Sequence, residues 1–357
     1  MDLRELDEPR VNGLLAVSQR VKRTGKTFPS TIAWFILLVF SMSTSTTTRR
    51  RHMVAAALSP KVAVLGGTGR LGRATVQELL KNDIPVSCLV RPSSSVPSDW
   101  PSDKVTVVRG ELMDGAGKPS TAVVDVLKGC THCVAVYGAT RKTKISDFWD
   151  KLVEDTDPTH AKQINYESMK ALVEACKQTN CSQILRITGK GEDPTSFFSV
   201  LINGLGSFAK GWNYEGEQVL REQSDVDYTI IRPGIMKEDY PPPPKDDEKP
   251  IEPEYLELAE NGGNLPVSAV SYQQMAQLLV ECILNQQSKR VTMTAMNVKG
   301  KPALPTVKER VQALHPDSRK FPKSLIDEHK MAVYKAATRV TAVMTVLLVG
   351  LIKLVFF

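Results

Sequence analysis

The chain has 357 residues, 42% hydrophobic and 24% charged, an ordinary globular balance with length enough for a large core and for one or two domains. Of its net charge of +7, residues 1–57 carry +5 and residues 317–357 carry +4, which leaves the stretch between them at −2. A near-neutral body with no Lys/Arg stripe excludes a nucleic-acid footprint, and the basic ends point instead to targeting segments or to an anionic membrane surface.

Residues 1–57 do not read as core. A basic stretch, Val21-Lys-Arg-Thr-Gly-Lys26, precedes the apolar run Thr31 to Phe40, and Ser41 to Arg51 is then rich in Ser, Thr and Arg without an acid. The first two are signal-peptide features and the third a transit-peptide feature. In series they resemble the bipartite leaders that carry proteins into plastids of secondary origin. That makes 1–57 a targeting leader, disordered or removed, and the destination a plastid; a true start at Met42 or Met53 is the rival reading.

From Pro60 the pattern changes. Lys61-Val-Ala-Val-Leu65 is a short β-branched run ending at glycine, which predicts a buried strand, and Arg73 to Lys81 follows with helical spacing of Ala74, Val76, Leu79 and Leu80. Further strands are predicted at 85–90, 105–108, 133–137, 183–187 and 228–231, with helices at 121–128, 164–178 and 211–223 between them. Strands alternating with helices of this length predict an α/β fold, a doubly wound and mostly parallel Rossmann sheet. After Pro233 the regularity fades: Pro241 to Pro244 and the charged 245–249 read as a loop or excursion, 271–285 as a helix and 288–296 as a late strand. Residues 58–316 are taken as the folded domain, with a small C-terminal substrate lobe at about 235–300. Six cysteines lie mostly in apolar stretches. Cys130 and Cys133 have CxxC spacing, but with no second pair they read as two residues entering a buried strand rather than a metal site.

The motif that carries chemistry is Gly66-Gly67-Thr68-Gly69-Arg70-Leu71-Gly72, directly between a strand and a helix. Glycine there permits a tight turn, close approach of backbone to a pyrophosphate and close helix–strand packing, and the helix N-terminus offers free N–H groups to the anion. The spacing resembles that of the atypical and extended short-chain dehydrogenase/reductases, nearest their NmrA-like, NAD(P)-binding branch. The second strand ends Leu89-Val90-Arg91-Pro92 with no acid for a ribose 2′-hydroxyl. Arg91, together with Arg70 in the turn, favours NADP(H) over NAD.

The resemblance covers about residues 60–300. It implies that Glu111 and Leu112 lie beside the adenine, that Tyr137 and Gly138 border the cofactor at the end of the fourth strand, and that Pro233 and Gly234, closing Tyr228-Thr-Ile-Ile-Arg-Pro-Gly234, pass the nicotinamide. Thr188 falls where active relatives keep a hydroxyl near the substrate carbonyl. The Tyr-x-x-x-Lys pair of ordinary short-chain reductases is missing from its helix. In related atypical sequences that helix reads Trp-Lys-x-x-x-Glu, and the Lys position here is Asn213. Tyr214 is then the candidate acid and Thr188 the candidate polariser, while Tyr166 and Lys170 have the right spacing one helix too early.

Residues 317–335 read as a polar, flexible linker. Residues 341–357 are apolar with one charge, Lys353, at the short end of a membrane span. They predict a membrane anchor or interfacial helix, or else an apolar helix packed on the domain. Two functions are compatible with these features: an NADP(H)-dependent reductase acting on a small, apolar plastid metabolite, or a dinucleotide-binding redox sensor or membrane-associated assembly factor without turnover.

Overall fold

Short β-branched runs bounded by glycine or proline build the main sheet. The computed structural model describes residues 60–148, 151–238, 254–300 and 302–356. Within them run β1 (Val62–Leu65), β2 (Val86–Val90), β3 (Val105–Arg109), β4 (His132–Ala135), β5 (Gln183–Ile187), β6 (Asp227–Pro233), β7 (Ile235–Lys237), β8 (Glu254–Ala259), β9 (Ala269–Ser271) and β10 (Val291–Lys299). The sheet order is β3-β2-β1-β4-β5-β6-β10-β8, parallel throughout except for β8, which pairs antiparallel with β10 at the edge. The chain reverses direction across the sheet between β1 and β4, the switch point at which doubly wound sheets open a crevice outside the carboxyl ends of the strands. The proposed leader and the proline-rich stretch at 241–249 lie outside the described residues.

Helices cover both faces; two short ones, α3 (Lys151–Thr156) and α8 (Val307–Gln312), follow β4 and β10 in the chain. On one face α1 (Arg70–Lys81) and α7 (Tyr272–Leu284) bury Leu71, Val76, Leu79, Met275, Leu278 and Leu279 in one cluster with Val62, Val64, Val86 and Cys88 of the strands. On the other, α2 (Thr121–Leu127), α4 (Ser168–Thr179) and α6 (Ala209–Arg221) bury Val126, Leu127, Met169, Leu172, Cys176 and Leu220. Each such side chain contributes about 2 kcal/mol on leaving water. The starts are set by side chains: Ser120 caps α2, and Ser271 with Gln274 forms a reciprocal capping box on α7. All six cysteines are free and buried, with Cys133 on β4 and Cys130 just before it.

Four features differ from the expectations. The late strand β10 is not part of a separate lobe. It lies beside β6 in the main sheet with seven residues buried in succession, and α7 packs across α1, where Gln273 Nε2 donates to Glu78 Oε2 at 2.6 Å. What remains outside the main sheet is the small β7–β9 pair and the turns near it. The helix expected at 164–178 opens with a π-turn, Gln163–Glu167, before α4. There, a Cβ on Gly216 of α6 would overlap the Asn165 carbonyl, so glycine allows the two helices to touch.

Residues 317–330 are not a loose linker. Tyr214 Oη and Gln218 Nε2 both donate to the Pro322 carbonyl at 2.7 and 2.6 Å, and Phe321 lies under the guanidinium groups of Arg221 and Arg319 at 3.9 and 4.1 Å. The Glu215 carboxylate accepts from Leu325 N and Ile326 N at 2.9 and 3.1 Å, capping α9 (Ile326–Phe356). Finally, a helix that the predicted elements did not include, α5 (Phe197–Leu205), follows β5; Val200 packs on the core, but Phe197, Phe198, Leu201, Ile202 and Leu205 are exposed.

Candidate functional site

The glycine turn has the geometry of a phosphate cradle. Gly66 leaves β1 at φ +92°, a conformation only glycine adopts without strain, and a Cβ there would sit 3.0 Å from Tyr137 N at the end of β4. Thus the turn meets β4 at the switch point. A Cβ on Gly72 would overlap the Gly66 carbonyl and stand 2.6 Å from Gly67 Cα, so the first turn of α1 lies directly on the loop. Gly69 is the N-cap residue, with φ −73° and ψ 169°, and no side chain caps the helix. The amides of Arg70, Leu71 and Gly72 therefore face the crevice with the positive end of the helix dipole behind them. Gly69 and Arg70 are exposed, Thr68 is half-buried and Leu71 is buried beneath. A diphosphate fits this cradle, since glycine keeps it open and the donors are backbone.

The ribose edge is basic. Arg91 is exposed where β2 ends, and Arg70 lies over the Tyr272 ring at 5.3 Å. The loop after β2 is braced from β3: Arg109 Nη1 donates to the carbonyls of Pro92 and Ser94 at 3.4 and 3.0 Å. Glu111 follows β3 with its side chain exposed and its carbonyl accepting from Ser120 Oγ, and Leu112 is half-buried against the core.

At the end of β4, Tyr137 presents backbone to the crevice, and its ring turns inward. Its hydroxyl shares a 3.0 Å hydrogen bond with Ser168, and the Arg186 guanidinium stacks on the ring at 4.5 Å. Gly138 is exposed beside Ala139, whose N–H donates to Asn165 Oδ1 at 3.1 Å. Asn165 Nδ2 donates to the Ala209 carbonyl at 3.2 Å. This side chain of the π-turn therefore ties the β4 loop to the start of α6, a role no sequence pattern announced.

The two candidate catalytic groups are held in structural contacts. Thr188, just past β5, donates through Oγ1 to Glu217 Oε1 at 2.6 Å, and Glu217 is paired with Arg232 and Arg221. Tyr214 is fully buried, its phenol raised above its ordinary pKa by burial and its proton given to the Pro322 carbonyl. The expectation that Tyr214 acts as the acid is corrected on that ground: a phenol in the core, donating to backbone, presents no proton to the crevice. Tyr214→Phe is expected to leave nucleotide affinity and any turnover unchanged and to lower stability by about 1 kcal/mol, since Gln218 still serves the same carbonyl. Thermal unfolding beside a binding isotherm checks this. Asn213, at the expected lysine position, accepts from Arg186 Nη2 at 3.3 Å. The Tyr166–Lys170 pair is no catalytic pair, because the Lys170 ammonium lies over the ring face at 4.6 Å and is paired with Glu167.

Two lysines that sequence reasoning passed over stand at this end of the sheet. Lys210, near the start of α6, donates to Ser199 Oγ at 2.9 Å, and burial brings its pKa down to about 8. Burial also lowers Lys190, in the glycine-flanked loop after Thr188. Pro233 is half-buried at the end of β6, and a Cβ on Gly234 would overlap the Ser268 carbonyl, so the chain leaves the sheet there under close cover.

The family model for NAD(P)H-binding proteins matches residues 66–286, more than half of the chain, and begins at the first glycine of the cradle. The chain belongs to this NAD(P)H-binding family. The atypical short-chain dehydrogenase/reductase resemblance of the glycine turn agrees with it. Protein TIC 62, chloroplastic, of Arabidopsis thaliana is 26% identical over 192 residues, covering 49% of this chain and 27% of that protein. The chain thus spans about a quarter of that relative's length. Two solved structures share the fold with a TM-score of 0.51: the oxidoreductase YlbE of Lactococcus lactis, 15% identical over 71% of this chain and 96% of its own, and a protein of Bacillus halodurans described as an NAD-dependent epimerase/dehydratase, 14% identical over 72% and 100%.

Proposed function

We propose that this NAD(P)H-binding protein is an NADP(H)-dependent reductase of a small, apolar plastid metabolite, associated with a membrane through α9. The observation that carries the cofactor reading is the basic, acid-free ribose edge next to an uncapped helix N-terminus: Arg91 and Arg70 flank the place of a 2′-phosphate, and β2 ends without a carboxylate. Glycines 66, 69 and 72 and the amides of α1 hold the diphosphate, Glu111 and Leu112 border the adenine, and Tyr137, Gly138, Pro233 and Gly234 line the crevice by their backbone. A bound nicotinamide supplies the hydride. The chain's own task is to hold the acceptor and to supply a proton. Lys210 and Lys190 are the groups whose burial brings them toward neutral pH at this end of the sheet.

The plastid assignment draws on the leader pattern in residues 1–57 and on the chloroplastic relative. Membrane association draws on α9. Its apolar part is long enough to cross a membrane and only 11% buried, unlike the core helix of a soluble protein.

Arg91→Ala tests the cofactor reading. Loss of a charge-assisted contact to the 2′-phosphate is expected to weaken NADPH about tenfold to a hundredfold and to leave NADH within a factor of about two. Isothermal titration with both nucleotides measures it, and equal losses for the two would remove the NADP preference. A specific observation favours a second reading, binding without turnover as a redox sensor or assembly factor: Thr188 and Tyr214 are both engaged in the core. NADPH oxidation against a panel of quinones and aldehydes separates the two. Turnover with a pH profile breaking near 8 selects the reductase and Lys210; tight binding with no oxidation selects the sensor.

A further inference from the structure

Helix α5 is built inside out. Its sequence, Phe-Phe-Ser-Val-Leu-Ile-Asn-Gly-Leu, places Phe197, Phe198, Leu201, Ile202 and Leu205 on the outer face, where they are 74%, 50%, 42%, 45% and 63% exposed. The buried face holds its polar residues. Ser199 accepts from Lys210 Nζ, and Asn203 Oδ1 accepts from Lys210 N and Gly211 N at 3.0 and 3.1 Å while its amide meets His329 Nδ1 at 2.9 Å. A water-facing helix of a soluble domain has the opposite arrangement. Five large apolar side chains side by side on the surface mark a contact with an apolar medium or partner.

What lies beside α5 indicates which. The N-terminal turns of α9 pack on it, with Val333 against Gly204 and Tyr334 against Phe208, which follows α5. His329 of the same turns joins Asn203 to the Gly191 carbonyl, the latter at 2.7 Å. Beyond Tyr334 the helix leaves the body, and Val340, Val343, Val346 and Leu347 are all more than half exposed. The apolar surfaces of α5 and α9 therefore start from the same place. Cations stand next to them: Lys335 and Arg339 are exposed on α9 just before the apolar run. Lys142 is exposed in the loop whose Thr143 N–H donates to the Leu205 carbonyl at 2.9 Å. None of these three makes an ion pair among the described residues. Aromatic and aliphatic side chains on one face with lysine and arginine at the border are the signature of an element lying in the interface of an anionic bilayer.

We infer that α5 lies in the headgroup region of an anionic bilayer, apolar face down, beside the point where α9 enters. This orients the β5–α5 loop, and with it Thr188, Lys190 and Lys210, toward the membrane. The inference rests on the reading of α9 as a membrane-contact helix.

The test uses the full chain reconstituted with phosphatidylcholine vesicles with or without phosphatidylserine. An environment-sensitive fluorophore is placed at Leu201→Cys on α5 or, as a tail reporter, at Val346→Cys; the native cysteines are buried and do not compete. Both labels are expected to shift to the blue on anionic vesicles. Phe197→Glu with Phe198→Glu should abolish the Leu201 shift and leave the Val346 shift and NADPH affinity unchanged. Neutralising the three cations, as Lys142→Gln, Lys335→Gln and Arg339→Gln, should weaken docking of α5 on the order of a hundredfold, at roughly a factor of five per charge. A blue-shifted tail with a water-exposed Leu201 label overturns the inference while sparing the anchor. Two water-exposed labels overturn both. A Leu201 shift that grows with protein concentration in the absence of vesicles assigns the face to a second copy of the chain instead, and an equal shift without phosphatidylserine overturns the anionic assignment.

Discussion

Gly69→Asp is expected to lose NADPH and NADH together, by at least about a hundredfold, in a protein that melts no lower than the parent. The two effects come from the same atoms. Gly69 has the backbone of an N-cap, φ −73° and ψ 169°, a conformation that aspartate favours, and its Cβ would meet only the Gly66 carbonyl, at 3.3 Å. The new carboxylate would accept from the amides of Leu71 or Gly72 and lie at the positive end of the helix, which stabilises α1 by a few tenths to about 1 kcal/mol. Those same amides are the donors offered to the diphosphate. Occupying them and adding a negative charge removes contacts worth about 1.5–3 kcal/mol each. Gly72→Ala is the contrasting substitution. Its methyl would overlap the Gly66 carbonyl, so α1 must move off the loop, and both stability and binding fall. Calorimetric titration and thermal unfolding on the two variants decide the matter. Unaltered nucleotide affinity in Gly69→Asp would mean that the dinucleotide lies elsewhere.

Most of the sheet could be read in advance because buried parallel strands announce themselves as unbroken apolar runs. Lys61 to Leu65, Gln183 to Ile187 and Tyr228 to Ile231 fall where β1, β5 and β6 are observed. The phosphate turn was legible because its glycines serve local backbone geometry. β8 escaped notice because an edge strand reading Glu-Tyr-Leu-Glu-Leu-Ala intersperses acids among its apolar residues, buries Leu256 alone while the rest are half-buried, and has no apolar run to mark it. The docking of residues 317–330 escaped for another reason. Polar sequence looks mobile unless its partners are known, and here they are Glu215, Gln218 and Arg221, about a hundred residues earlier on α6. Tyr214 was misjudged on the same account: spacing along one helix places it beside the cofactor, but the segment ending at Pro322 covers it. Asn165 and Lys210 carry no motif, since one acts through loop contacts and the other through burial.

Removing the carboxylate of Glu217 is expected to be among the most damaging single changes in the protein. Glu217 and Arg232 have fully buried side chains. Glu217 Oε1 accepts from Arg232 Nε at 3.0 Å and from Thr188, while Oε2 takes Arg221 Nη2 at 2.7 Å and Arg232 Nη2. Gly262, at φ +60°, leaves room for the Arg232 guanidinium, which also reaches Glu192 at 3.0 Å. Burial alone would raise the Glu217 pKa, but the two arginines outweigh it and hold the carboxyl down at about 2. Since the folded value lies below the unfolded one, this carboxylate's contribution is present above about 4.5 and is lost as pH falls toward 2.

Glu217→Ala leaves the buried Arg232 with Glu192 as its one carboxylate partner among the described residues, and breaking a buried pair in this way costs about 3–5 kcal/mol, or on the order of 10 °C in melting temperature. It also frees Thr188 and slackens the loop carrying Lys190, so nucleotide-dependent activity should fall along with stability. The cause can be isolated. If the cost comes from the guanidinium left short of its carboxylate rather than from lost packing, replacing both partners, Glu217→Leu with Arg232→Met, recovers part of the loss, because only Arg221, which keeps Gln218 and the Phe321 ring, then lacks its carboxylate. A double variant as unstable as the sum of the two singles would mean no coupling between Glu217 and Arg232, and would assign the loss to the separate contacts that each makes with its other neighbours.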